Sequence, residues 1–218
     1  MKTILKKKTL SYVYIFCLGI LSSFSLPPYN FFLINFFTFS ALFVFFIKQK
    51  HNLNKVEYFL YGWMFGFGYF TSSLYWITIS LTFDQTFIIL IPIAFLLIPL
   101  FLAIFYGLAT YALYYFKKFS NISLILIFSV TFSISEFLRG NILSGFPWNL
   151  ISFSFSEFLP FLQILSLIGT YSFNLFCLTL FVLPSLFYLK KNKHEIYFLV
   201  LFGLLLVSGV LFGQLNLV

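Results

Sequence analysis

Long apolar stretches divided by short polar breaks run the length of the chain, near residues 10–26, 29–47, 58–81, 87–116, 122–138, 161–189 and 195–217. A helix needs about 20 residues to cross the hydrocarbon core of a bilayer. Most of the stretches reach that length, while 10–26 and 122–138 lie near its lower limit. The stretch 87–116 exceeds it and contains Pro92 and Pro99, which predicts a kinked or tilted helix. In lipid a backbone must satisfy its own hydrogen bonds, so stretches of this kind are predicted to be helices. The short alternating segments of a membrane β-barrel are not seen. The pattern therefore predicts an all-α integral membrane protein, a bundle of about seven transmembrane helices.

Composition supports that reading. Of 218 residues, 61% are hydrophobic and 8% charged, with a mean hydropathy of +1.04. Soluble domains carry roughly 25% charged residues, and no water-soluble fold of this size hides so much apolar surface. The 36 Phe residues, beside many Ile, Asn and Lys, also suggest AT-rich codon usage, so a single Phe carries little information.

The net charge of +8 would suggest nucleic acid in a soluble protein. Here the charge is dispersed among short loops, and no nucleic-acid partner is expected. Lys2, Lys6, Lys7 and Lys8 precede the first stretch, and Lys48, Lys50 and Lys55 separate the second from the third. Lys117 and Lys118 follow the fourth, and Lys190, Lys191 and Lys193 follow the sixth. Seven crossings with the N-terminus inside put all twelve lysines on the cytoplasmic side, as the positive-inside rule requires. The opposite side then receives Pro27–Asn30, Thr82–Thr86, Arg139–Pro160 and the C-terminus. The first stretch has the basic start of a signal peptide but lacks a small-residue cleavage site, so it is read as a retained helix.

Few side chains suggest chemistry. Cys17 and Cys177 have no neighbouring base or cation in sequence and read as small packing residues. His51 and His194 sit in lysine-rich loops without metal-ligand spacing, and no metal or cofactor is implied. Glu136 differs, because a carboxylate near the end of an apolar helix is costly unless paired. Arg139, the single arginine, follows three residues later on the same helix face. Two roles stay open: an ion pair that fixes position, or an arginine that meets a lipid phosphate. Beyond it, Gly145, Phe146, Pro147 and Trp148 suggest a turn with an aromatic anchor at the headgroup layer. The mixed segment Leu150–Pro160 could lie along the outer interface. Gly62, Gly66 and Gly68 provide a close-packing surface on the third helix. A small transporter or a silent membrane scaffold is the alternative function, although the helix interiors offer mainly Ser, Thr and Asn for a polar path.

Glu136-Phe137-Leu138-Arg139-Gly140, followed by Gly145-Phe146-Pro147-Trp148-Asn149, resembles the signature in the membrane part of bacterial apolipoprotein N-acyltransferases. The resemblance extends to Gly62–Gly68 with Tyr75-Trp76-Ile77, to Gly169–Ser172 with Asn174, and to Pro27-Pro28. It implies an enzyme of the bacterial cytoplasmic (inner) membrane that moves an acyl chain from a phospholipid donor to the N-terminal diacylglyceryl-cysteine of a lipoprotein acceptor. In that family a cysteine, a glutamate and a lysine of a periplasmic nitrilase-like domain, placed after the seventh helix, do the covalent chemistry. This sequence stops at Val218, where that domain is expected to begin, and none of its residues matches the catalytic three. The resemblance thus implies a fragment, a truncated product or half of a split protein, with no catalytic residue of its own. The rim of the lipid site is expected at Arg139, Phe146, Trp148 and Trp76, with Glu136, Gly145 and Pro147 as structural supports.

Reporter fusions after Lys118 and Lys191 are expected to read cytoplasmic and fusions after Val218 periplasmic. A cytoplasmic reading after Val218 would sink the seven-crossing topology.

Overall fold

A computed structural model describes residues 2–142, 145–189 and 192–217, with side chains from Lys8 onward. Lys190, Lys191 and Val218, and the side chains of Lys2, Lys6 and Lys7, lie outside it. The described residues are helical or irregular throughout. In chain order the helices are α1 (Lys2–Ser23), α2 (Leu33–Gln49), α3 (Lys55–Ser73), α4 (Trp76–Ser80), α5 (Ile91–Tyr114), α6 (Asn121–Asn141), α7 (Leu159–Leu162), α8 (Leu165–Ile168), α9 (Thr170–Val182), α10 (Ser185–Tyr188) and α11 (Lys193–Asn216). Two 3-10 turns, Gln85–Leu90 and Ile151–Phe155, complete the set.

Local sequence accounts for the boundaries. Asn54 and Glu57 open α3 with a capping box, in which each side chain accepts the other's backbone N–H at 3.0 and 2.9 Å. Asn192 and Glu195 open α11 the same way. Asp84 begins the turn before α5 by accepting from the Thr86 amide and hydroxyl, and these bonds hold its carboxyl below its usual range.

Among the described residues, four helical spans are long and apolar enough to cross a membrane: Gln85–Tyr114, Asn121–Asn141, Thr170–Tyr188 and Lys193–Asn216. Lys8–Ser23, Leu33–Gln49 and Leu159–Ile168 are apolar but shorter. α3, rich in glycine and tyrosine, falls in neither group. Three apolar stretches are subdivided relative to the sequence pattern. The stretch 58–81 breaks at Ser73 before α4, and 87–116 starts as a 3-10 turn before α5, which contains Pro99. The stretch 161–189 is not one helix. It breaks at Gly169, whose φ of +75° ends α8, and at Pro184, which separates α9 from α10.

α3 sits between α1 and α5, α6 joins α5 to α9, and α2 packs on α1 and α9. The core is aromatic: Phe39, Phe43, Phe65, Phe128, Phe132 and Phe181 are fully enclosed, and Phe128 stacks on Phe132 at 4.5 Å. The outer faces of α5 and α11 are almost wholly apolar and uncovered, as lipid-facing helices require. The lysine-bearing helix ends meet one another, with Lys8 on Glu57 at 2.6 Å and Lys48 on Tyr188. At the opposite end Asn30 donates to Glu157 at 2.5 Å.

The α3 glycines have separate partners. A Cβ on Gly68 would lie 2.2 Å from the Phe16 carbonyl oxygen of α1, and one on Gly62 would lie 2.6 Å from the Tyr106 carbonyl oxygen of α5. The backbones therefore touch on both sides of α3. Gly68→Ala is expected to cost about 1–3 kcal/mol through overpacking, whereas Gly203→Ala, inside α11 with nothing within 4 Å, is expected to leave stability unharmed or raise it by up to about 1 kcal/mol. Thermal unfolding in detergent micelles distinguishes the two, and equal melting temperatures would contradict this packing.

Candidate functional site

At the end of the bundle opposite the lysines, the last turns of α6 carry Glu136 and Arg139 on one face, and both side chains are fully enclosed. Burial of a carboxylate and a guanidinium demands partners. The Glu136 carboxylate accepts the Tyr106 hydroxyl of α5 at 2.7 Å and the Asn174 amide of α9 at 2.5 Å. Arg139 Nη2 lies 3.6 Å from Glu136 Oε1, an ion pair longer than a hydrogen bond. Arg139 Nη1 donates to the carbonyls of Phe146 and Trp148 at 2.8 and 2.7 Å, and the guanidinium lies over the Phe70 ring at 5.1 Å.

The chain after α6 is shaped to meet that fork. Ile142 N–H donates back to the Leu138 carbonyl and closes the helix. Gly145 turns the backbone at φ +76°, where a Cβ would also press 2.6 Å from the Gly140 carbonyl oxygen, so both conformation and space favour glycine. Phe146 N–H then donates to the Arg139 carbonyl at 2.8 Å. Asn149, at φ +56°, donates from its side chain to the Ser73 carbonyl at the end of α3, while its own carbonyl accepts the Tyr69 hydroxyl at 2.9 Å. The segment is thus tied directly to α3 and α6, and through Glu136 and Arg139 of α6 to α5 and α9.

Above this network lies an open pocket of about 620 Å³. Its walls come from the α1–α2 loop at Pro27–Tyr29, the end of α3 at Ser73, and Trp76 and Trp148, whose rings meet edge to face at 6.2 Å. Trp76 is 43% and Trp148 57% exposed. Two buried hydroxyls on the pocket wall, Ser73 and Ser156, have no hydrogen-bond partner among the described residues.

The residues singled out in the sequence separate into two layers. Trp76 and Trp148 meet at the pocket, Pro147 is exposed beside them, and Phe146 is half-buried against the core. Arg139 and Glu136 lie beneath. Arg139 is 1% exposed, so its fork grips the protein's own carbonyls instead of facing a headgroup phosphate. Three of its neighbours decide this: a carboxylate one turn away and two carbonyls that would otherwise be left without donors. Ile151–Phe155 is likewise not a surface segment, since Ile151, Ser152 and Phe155 are buried and Ser152 N–H donates to Asn174. Composition did not single out Tyr106 or Tyr69, which read as two of 14 tyrosines; only the fold brings them to Glu136 and Asn149.

Replacing Arg139 alone leaves Glu136 buried without its cation. Arg139→Met is expected to lose about 3–5 kcal/mol of stability. Adding Glu136→Gln is expected to restore part of the loss, because a neutral amide oxygen can still accept from Tyr106. Denaturation of the two variants in matched micelles reads the difference, and a double variant no more stable than the single one would refute the pair as the dominant contribution.

Comparison with known proteins places this arrangement. Residues 18–183 match the family described as Apolipoprotein N-acyltransferase N-terminal domain. An Apolipoprotein N-acyltransferase of Agrobacterium fabrum is 32% identical over 203 residues, covering 89% of this chain and 38% of the relative. That of Rickettsia prowazekii is 39% identical over 160 residues, covering 72% of this chain and 31% of the relative. That of Rhodopseudomonas palustris is 39% identical over 125 residues, covering 57% and 23%. The chain spans 23% to 38% of the length of these relatives. The Glu136–Arg139 turn, the Gly145–Asn149 return and the α3 glycines all fall inside the matched residues, and the chain belongs to the apolipoprotein N-acyltransferase family through its N-terminal membrane domain.

Proposed function

We propose that this chain is the membrane-embedded part of an apolipoprotein N-acyltransferase of the bacterial inner membrane, and that it positions two lipid substrates for a periplasmic catalytic domain expected beyond residue 218. The substrates are a phospholipid acyl donor and the N-terminal diacylglyceryl-cysteine of a lipoprotein. In the overall reaction the donor's ester bond breaks, an amide forms at the acceptor's α-amino group, and a lysophospholipid leaves. The family's catalytic cysteine carries the acyl group between the two steps as a thioester. Seven crossings, with the N-terminus cytoplasmic and the lysine-bearing loops inside, put the Trp76–Trp148 pocket at the outer headgroup layer.

The observation that carries this reading is the pocket itself: two exposed tryptophans over a fully enclosed polar network. Both substrates are amphiphiles whose reactive groups sit at the headgroup layer while their chains stay in hydrocarbon. Exposed indoles and an apolar wall suit the chains, and the free Ser73 and Ser156 hydroxyls suit the polar ester or amide region. Trp148 and Trp76 form the lipid-facing rim, while Phe146 packs against the core beneath it. Arg139 is a positioning residue that acts through the Phe146 and Trp148 carbonyls, and Glu136 anchors it. Holding a reacting ester in one orientation supplies rate without any chemical group from this domain.

One acyl-transfer assay with phospholipid and a diacylated lipopeptide tests this. The chain alone is expected to form no triacylated product. Joined to the catalytic domain, it is expected to be active, with Trp148→Ala and Trp76→Ala raising KM for the phospholipid roughly 5- to 30-fold, as for loss of a buried aromatic contact of about 1–2 kcal/mol, at unchanged melting temperature. Wild-type KM in both variants would remove these residues from the site. Product from the isolated chain that survives replacement of Cys17 and Cys177 would overturn the dependence on a separate catalytic domain.

A further inference from the structure

A second groove lies away from the outer pocket and plays no part in the acyl-transfer reading. It follows one face of α2 from Leu33 through Phe37, Ala41 and Val44 to Lys48, positions three or four apart that form a continuous stripe. Leu33 and Phe37 are 67% and 59% exposed, so none of the described residues covers them. The small side chains of Ala41 and Ser185 hollow it to about 630 Å³. Its walls are mostly apolar; the Ser40 hydroxyl on them donates to the Phe181 carbonyl at 2.9 Å, Tyr14 is exposed at the edge, and two further polar places remain. The Ser185 hydroxyl is buried in the wall without a hydrogen-bond partner among the described residues. At the lysine-bearing end, the Lys48 ammonium donates to the Tyr188 hydroxyl and lies 4.2 Å from the centre of that ring.

We propose that this groove binds a phospholipid of the lysine-side leaflet, with its phosphate on Lys48 and Tyr188 and one acyl chain laid along α2. The dimensions match. Lys48 to Phe37 is about 16 Å of helix at about 1.5 Å per residue, close to the roughly 15 Å depth of one leaflet's hydrocarbon. The chemistry matches as well. Lys48 has three donors and uses one on Tyr188, which leaves the others for phosphate oxygens. The Tyr188 ring holds the ammonium at the groove mouth, and its hydroxyl is a further donor at the same point. The free Ser185 hydroxyl lies where the glycerol-ester region of such a lipid can accept from it. A soluble partner would have to bury a face that lipid covers without cost, and a cation, Lys48, at the mouth of an apolar trench selects an anion attached to a chain.

Native mass spectrometry of the intact 218-residue chain, released from nanodiscs, tests the site. The lipids are phosphatidylglycerol, phosphatidylethanolamine and the phosphate-free diacylglycerol. The wild type is expected to retain one phospholipid and no diacylglycerol. Lys48→Gln, a change at an exposed position, is expected to weaken retention about fivefold, the worth of one cation at a membrane surface, and to remove its salt dependence. Ala41→Trp, which fills the groove, is expected to abolish retention while leaving the Trp76–Trp148 pocket intact. Melting temperature with and without added lipid provides a second measure for each variant. Retention by both variants equal to wild type, or the same stabilisation by inorganic phosphate as by phospholipid, overturns the proposal. Neither result reads acyl transfer, so failure here leaves the outer-pocket reading standing, and failure there leaves this one.

Discussion

A guanidinium sealed inside an apolar bundle is the constraint on which the outer end of this molecule depends. Enclosed at 1% exposure, the Arg139 charge is tolerable only because Glu136 lies across from it, Phe70 presents a ring face to it, and two carbonyls accept from it. Glu136 in turn needs Tyr106 and Asn174. Each of these partners comes from a different part of the chain, so satisfying one charge pair fixes α5, α6, α9 and the 145–149 return relative to one another. Nε and Nη2 of Arg139 remain without hydrogen bonds among the described residues. The arrangement therefore trades complete pairing for a fork aimed at a single stretch of backbone.

The consequence is a rigid floor beneath an adaptable rim. Trp76 and Trp148 are exposed and touch each other, but Trp148's carbonyl is held from below by Arg139 and the next residue's by Tyr69. A ring can change rotamer here without its backbone moving. Lipid chains are conformationally loose, and the proposed site for them would gain from fixed backbone and mobile aromatic walls. At the other end of the bundle the roles reverse, with a flexible lysine standing over a groove built on rigid helix.

Much of this was legible in the sequence, and what escaped had physical reasons. The Glu136–Arg139 spacing signalled a pair, and Gly145 signalled the turn, because both effects are local. The direction of Arg139 did not follow, since the carbonyls that capture it become acceptors only once the chain has folded back. Tyr106 and Tyr69 carried no local mark, because a tyrosine in an aromatic-rich helix reads as packing until a carboxylate is placed beside it. Apolar stretches located the long helices well. They could not reveal the breaks at Gly169 and Pro184, since a broken helix buried against neighbours leaves the same hydropathy trace as a continuous one. Ile151–Phe155 looked superficial because its serines are polar, yet one of its amides is recruited inward by Asn174.

The glycines of α3 bear on how the protein enters the bilayer. This helix exchanges apolar side chains for backbone contact, with α1 on one side and α5 on the other. Side chains are what a translocon partitions into lipid, so α3 has little to recommend it to the bilayer as a lone segment. In the proposed seven-crossing topology its residence there is a property of its neighbours, and it would be stable only once the α1 surface is waiting and the α5 surface arrives. Synthesis order supplies that sequence, since α1 emerges before it and α5 shortly after. A lesion in α1 or α5 that merely spoils the fit would therefore act first as an insertion defect, returning α3 to water before any substrate is met.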